Sequence, residues 1–152
     1  MFRGIAYDTI MRPPVIIIDT NVLVAALRSR RGASFRLLDM VGTGRFNIAV
    51  SVPLVLEYEA VGRRHQDAAG LSDGDLDAVL DYLCSVADRR RIHYLWRPVL
   101  RDAKDDMVLE VAVHAGATFI VTFNVRDFDG LERFGVRALT PREFLNIIGG
   151  LP

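Results

Sequence analysis

The chain has 152 residues, 51% hydrophobic and 25% charged, the balance of one globular domain with enough apolar side chain for a sizeable core. Its 19 basic and 19 acidic residues cancel, which argues against holding nucleic acid by overall positive charge but leaves room for a local basic rim. No apolar run approaches the ~20 residues that span a bilayer, Met1–Pro14 lacks the apolar segment of a secretory leader, and the single Cys84 excludes an internal disulfide framework.

Residues 1–14 are expected to form an N-terminal extension, residues 15–148 one domain and residues 149–152 a short tail, in a cytoplasmic protein with no membrane partner. Val15–Ile18 is a β-branched run of the kind buried on both faces of a sheet. It passes through Asp19-Thr20-Asn21 into a helical Val22–Leu27. A helix follows over Ser34–Val41, ended by Gly42 and Gly44, then a strand over Phe46–Val50. Pro53–Arg64 reads as helix with proline in its first turn, and Asp73–Arg90 as a longer one with Leu76, Val79, Leu80 and Leu83 at helical spacing. Ile92–Trp96 is a predicted strand, Asp105–Ala115 a helix stopped by Gly116, and Thr118–Thr122 a second buried-type strand. Val136–Leu139 and Pro141–Ile148 close the chain as strand and helix. This alternation predicts an α/β fold with a central, mostly parallel sheet covered on both sides. Ligands of such sheets bind beyond the carboxyl ends of the strands. Asp19 and Phe123-Asn124 stand there, just past the two most apolar strands.

The carboxylates divide by helical phase. Asp19 either caps the following helix or faces the crevice as a ligand; the second is also open if Thr20 or Asn21 takes the cap. Glu57 falls on the side of Leu54, Ala60 and Val61, where a glutamate is costly unless ion-paired or metal-bound. Glu59 points elsewhere, one turn before Arg63, where an exposed ion pair accounts for it. In Asp102-Ala103-Lys104-Asp105-Asp106, acids suit a helix N-terminus, but Asp105 lies in phase with Val108, Leu109 and Ala112 and Asp106 is rotated away. Asp105 is thus the inward candidate, with Asp106 assisting through water or only capping. Asn124 offers a carbonyl oxygen at the crevice, although both it and Asp127 also suit turns, and Asp127 ranks below it. His65, His93 and His114 have no zinc-like spacing, and His114 is expected on the exposed side of its helix with Glu110. Lys104 is the only lysine; the other 18 basic residues are arginines, which genomic base usage explains as readily as phosphate binding does.

Oxygen ligands without imidazole or thiolate select hard cations, so Mg²⁺ or Mn²⁺ is expected. Carboxylates gathered without a cation would repel and titrate upward. Phosphodiester hydrolysis is the natural reaction for such a set.

These residues carry a family resemblance. Ile16-Ile17-Ile18-Asp19-Thr20-Asn21-Val22-Leu23 resembles the opening motif of PIN domains. Ser51-x-x-Leu54-x-x-Glu57 resembles their second acidic motif, and Asp105-Asp106 before an alanine-containing helix the third. Ala115 to Asn124 resembles the strand that ends in the fourth site. The resemblance spans about Val15 to Ile148. It implies a Rossmann-like three-layer α/β/α fold and a Mg²⁺- or Mn²⁺-dependent endoribonuclease acting on RNA. Its catalytic positions would be Asp19, Glu57, Asp105 and Asn124, with Asp106 beside Asp19, Glu57 and Asp105 at the metal. Many family members have Asp where this chain has Asn124, which places one metal on firmer ground than two. Small members are often toxins similar to the virulence-associated protein C class, which implies a cognate antitoxin and a homodimer. The alternative is a catalytically weak PIN-fold module that binds RNA or protein. A phosphoryl-receiver domain would want a lysine after a late strand, whereas Lys104 precedes a helix.

Overall fold

β1 (Val15–Ile18) contains three consecutive isoleucines, Ile16 to Ile18, all buried. A strand with no polar face belongs in the middle of a sheet covered on both sides, and β1 is there. The computed structural model describes residues 13–90 and 103–149. In it β1 pairs with β2 (Asn47–Ser51) on one side and β4 (Phe119–Val121) on the other. β3 (Asp88–Arg90) and β5 (Arg137–Leu139) are the outer strands, so the order is β3-β2-β1-β4-β5 with every pairing parallel. The register sets Ile17 beside Ile120 and Ile18 beside Val121, ending β1 and β4 at the same level.

Parallel neighbours require crossovers, and the helices supply them. α1 (Thr20–Arg28) and α2 (Ala33–Asp39) join β1 to β2, and α3 (Val52–His65) and α4 (Asp73–Val86) join β2 to β3. α5 (Ala103–Ala115) returns across the sheet to β4; two 3₁₀ turns, Val125–Phe128 and Leu131–Phe134, lead to β5, and α6 (Pro141–Ile148) ends the fold. Because β1 to β3 step one way and α5 steps back, right-handed crossovers put α1 to α4 on one face and α5 on the other. The packing agrees: α1 touches α2 and α3, α3 touches α4, and α2 touches α6, while α5 lies against β1 to β4 and meets only α3 of the first four helices in more than isolated contacts. Phe144 of α6 meets Phe46 and Phe119 edge-on at 5.3 and 5.6 Å between ring centres. Among the described residues no helix is long and apolar enough to cross a membrane.

Two expectations need correction. The predicted helix Asp73–Arg90 stops at Val86; Ala87 turns extended, and Asp88 to Arg90 pair with β2. Arginine favours helix only weakly, by tenths of a kcal/mol, whereas ladder partners for the open edge of β2 are set by tertiary structure. On α5 the stripe Val108, Leu109, Ala112 and Ala115 is buried as expected, but Glu110 is buried too and His114 half-buried. The helix spans four strands and is covered over more than one stripe, so that side is not the exposed one. The predicted strand Ile92–Trp96, with His93, lies outside the described residues, as do Asp102, residues 1–12 of the extension and residues 150–152.

Candidate functional site

The order β3-β2-β1-β4-β5 has its switch point between β1 and β4, where consecutive connections leave in opposite directions and open a crevice at the carboxyl edge. Asp19 sits there, 6% exposed. One carboxylate oxygen accepts the backbone N–H of Thr20 at 2.8 Å, capping α1. The other accepts the Thr122 hydroxyl, across the switch point at the end of β4, at 2.7 Å. Asp19 is therefore the cap itself, a role expected to fall to Thr20 or Asn21 if Asp19 faced the crevice. Thr20 is instead the first residue of α1, and its hydroxyl donates to Glu57 Oε2 at 2.6 Å.

Glu57 reaches Thr20 because Ser51 caps α3 just past β2, accepting the N–H of Leu54 at 3.3 Å, so that the helix starts at the crevice. Glu57 is half-buried, and among the described residues no arginine pairs with it. Glu59 does pair with Arg63, at 3.2 Å, as its phase predicts. Ala60, expected on the side of Leu54, is exposed, so the covered arc of α3 is narrower than periodicity suggests. Tyr58 is buried, and its hydroxyl donates to the Ile18 carbonyl, tying α3 to the end of β1.

Burial, before all else, pushes the Asp19 carboxyl above its usual range; the bonds from Thr122 and Thr20 oppose this, and repulsion from Glu57 and then Asp127 adds to it. Burial, and then the nearby Asp19 charge, push the Tyr58 phenol up as well, so it stays a donor. Asp127 thus stands within electrostatic reach of Asp19, closer to the site than its rank in the sequence reading suggested. It lies three residues after Asn124, in the 3₁₀ turn that Asn124 opens, and its backbone N–H donates to the Asn124 carbonyl at 3.0 Å. Asn124 is exposed; its backbone N–H donates to the Thr122 hydroxyl at 3.0 Å. Phe123, half exposed, is anchored by its N–H to Asn21 Oδ1 at 3.3 Å. Phe123, Asn124, Asp127, Thr140 and Glu143 line a cavity of about 570 Å³.

Asp105 and Asp106, both half-buried, occupy the first turn of α5. That helix ends four residues before β4 and so runs antiparallel to the strands. Its 13 residues, at about 1.5 Å each, bring the first turn back toward the carboxyl edge. Among the described residues no three His, Cys, Asp or Glu side chains form a metal-holding group. Asp19 and Glu57 nevertheless suit a hard cation. Both are oxygen donors held by neutral hydroxyl and amide groups, and each bonded oxygen keeps a further lone pair.

The PIN-domain family model matches residues 15–126. This chain belongs to the PIN-domain family. Members are in general metal-dependent nucleases that use divalent ions. No curated protein matches the chain. The PIN match runs from β1 into the first 3₁₀ turn, taking in Asp19, Glu57, Asp105, Asp106 and Asn124 and ending one residue before Asp127. Thr122 and Tyr58, which help hold this PIN site together, escaped sequence reasoning, and Thr20 was weighed there only as a cap. Threonine and tyrosine at strand ends and in helices carry no signal until the strand order is known.

Proposed function

We propose that the chain is a Mg²⁺- or Mn²⁺-dependent endoribonuclease, a cytoplasmic toxin restrained by a cognate antitoxin and acting as a homodimer. The observation that carries the nuclease reading is the linked pair Asp19–Thr20–Glu57 at the switch point: two acids at the ligand edge, held by the backbone N–H and the hydroxyl of one residue, both neutral. Asp19, Glu57 and Asp105 would hold the ion, Asp106 would assist through water, and Asn124 would offer a neutral oxygen at the fourth position. When bound, the ion supplies an acidified water and neutralises charge developing on a phosphoryl oxygen.

The chain's own residues do the positioning. Thr122 fixes one Asp19 oxygen and, through the Asn124 N–H, the loop beyond β4. Thr20 aims Glu57, and Tyr58 locks its helix to β1. Phe123 offers an exposed ring at the cavity, on which a base of the substrate can stack. The toxin role is supported by the PIN domain itself; an antitoxin would act by covering the acidic crevice, with a basic side chain among its carboxylates.

The test is a Mg²⁺ and Mn²⁺ titration with single-stranded RNA, comparing the natural chain with Asp19→Ala. Ion-dependent cleavage by the first and none by the second is expected. Cleavage that survives the substitution removes Asp19 from the mechanism. No cleavage by either protein turns the reading to a PIN-fold module that binds without cutting.

A further inference from the structure

A second concentration of charge lies outside the crevice. Residues 28–36, Arg28-Ser29-Arg30-Arg31-Gly32-Ala33-Ser34-Phe35-Arg36, carry four arginines and no acid in a chain of formal charge zero. They form the end of α1, the turn after it and the start of α2. Arg30, Arg31 and Arg36 meet Arg142 of α6 around a cavity of about 620 Å³, with Phe35 and Asp39 also in its wall. Arg30, Arg31 and Arg142 are exposed and, among the described residues, form no ion pair. The balanced charge of the chain means that this is a local arrangement, not a share of a generally basic surface. Elsewhere, Arg63 is engaged by Glu59, Asp73 and Asp77.

The cavity adjoins the crevice through the first turn of α6. Arg142 lines the arginine cavity, and the next residue, Glu143, lines the crevice cavity with Asn124 and Asp127. From this we infer that the arginine cavity is a phosphate-binding subsite for the RNA strand, holding the backbone on one side of the α6 turn while the scissile bond lies at Asp19 on the other. Guanidinium forks match phosphate oxygens two at a time, and Phe35, half-buried in the wall, presents a ring to a base. The RNA assignment rests on the nuclease reading above; an acidic protein segment would satisfy the arginines equally, but only a phosphodiester strand also brings a scissile bond to the carboxylates that would hold the ion.

The experiment measures binding of a short fluorescein-labelled single-stranded RNA by anisotropy in EDTA, where cutting is blocked, and cleavage separately in Mg²⁺. Arg30→Ala/Arg31→Ala should weaken binding about tenfold and flatten log K against log salt by about 1.4, roughly 0.7 for each lost phosphate contact. KM should rise by a similar factor, with much the smaller change in kcat. Arg30→Lys/Arg31→Lys should restore most of the salt slope. Arg133→Ala/Arg137→Ala removes equal charge outside the cavity and should bind as the natural chain does. Equal losses in that control, unchanged binding by the cavity variant, or tighter binding of polyglutamate than of RNA would each overturn the subsite. Arginine-dependent binding without any cleavage leaves the subsite standing and removes the nuclease reading. Cleavage with a KM indifferent to Arg30 and Arg31 does the reverse.

Discussion

Asp19→Asn should make the protein inactive and, without metal, more stable. Asparagine is isosteric with aspartate and caps helices equally well, so its Oδ1 keeps the Thr20 N–H. Its Nδ2 can donate to the Thr122 hydroxyl, which turns from donor to acceptor while still accepting the Asn124 N–H; the buried Thr122 O–H gives up its carboxylate acceptor in exchange, a cost set against the gain below. What disappears is a buried charge and its repulsion by Glu57 and Asp127. The Asp19 carboxyl is raised despite two hydrogen bonds to its ionised form, so burial and repulsion outweigh those bonds. The ionised group therefore destabilises the fold at neutral pH. Relief of a functional compromise of this kind gives about 0.5–2 kcal/mol, with about 2–4 °C in Tm per kcal/mol for a domain of this size. The sign fixes the pH dependence. A folded-state pKa above the unfolded value means that the penalty is complete above the folded pKa and absent below the unfolded one. The gap between variant and natural chain is thus widest near neutrality and closes toward the ordinary carboxylate range, around pH 4. Metal should invert the order: a ligand at a hundred times its Kd stabilises the natural chain by about 2.7 kcal/mol, and the variant by much less. Calorimetry in EDTA and in Mg²⁺ reads both arms. A folded variant that melts below the natural chain in EDTA, or equal stabilisation of both by Mg²⁺, would refute the reasoning.

Three further outcomes are expected. Thr20→Val, which removes the hydroxyl bonded to Glu57, should weaken Mg²⁺ binding by about 10–100-fold, the usual effect of losing a group that orients a ligand, and Thr20→Ser should recover most of it in calorimetric titration. Phe123→Ala should leave Tm unchanged, since the ring is half exposed, yet lower RNA affinity by about 1–3 kcal/mol, read by anisotropy in EDTA. Gly62→Val should lower stability by roughly 1–3 kcal/mol in urea melts, because even a Cβ at Gly62 would lie 3.0 Å from the buried Leu76 where α3 crosses α4.

The fold was legible wherever local pattern and tertiary demand coincide. Runs such as Ile16 to Ile18 and Phe119 to Val121 can only be central strands, and the site follows from where they end. Phase separated Glu57 from Glu59 because α3 is covered on one side only. It misjudged Glu110 because α5 is enclosed more widely than a single stripe allows. The strand over Asp88 to Arg90 was not legible, since its polar residues gain strand character only from β2 beside them. The same holds for Thr122. Its hydroxyl meets a carboxylate 103 residues earlier, and nothing local to Thr122 encodes that partner; the register of β1 on β4 does.

The way each acid is satisfied separates the structural carboxylates from those at the crevice. Glu59, Asp73 and Asp77 gather around Arg63, a cation that cancels charge where α3 and α4 meet. Asp19 and Glu57 are held by Thr20, Thr122 and a backbone N–H, all neutral, although the chain carries 18 arginines. Neutral donors fix a carboxylate's position without cancelling its charge. A guanidinium in the place of Thr20 would stabilise the fold more and leave a cation nothing to bind. Holding like charges together at a buried edge destabilises the free protein, as the raised Asp19 carboxyl records, and the cation proposed above would reverse that cost. Arg30, Arg31 and Arg142, which form no ion pair among the described residues, are the complement across one turn of α6: positive charge where a phosphate backbone would lie.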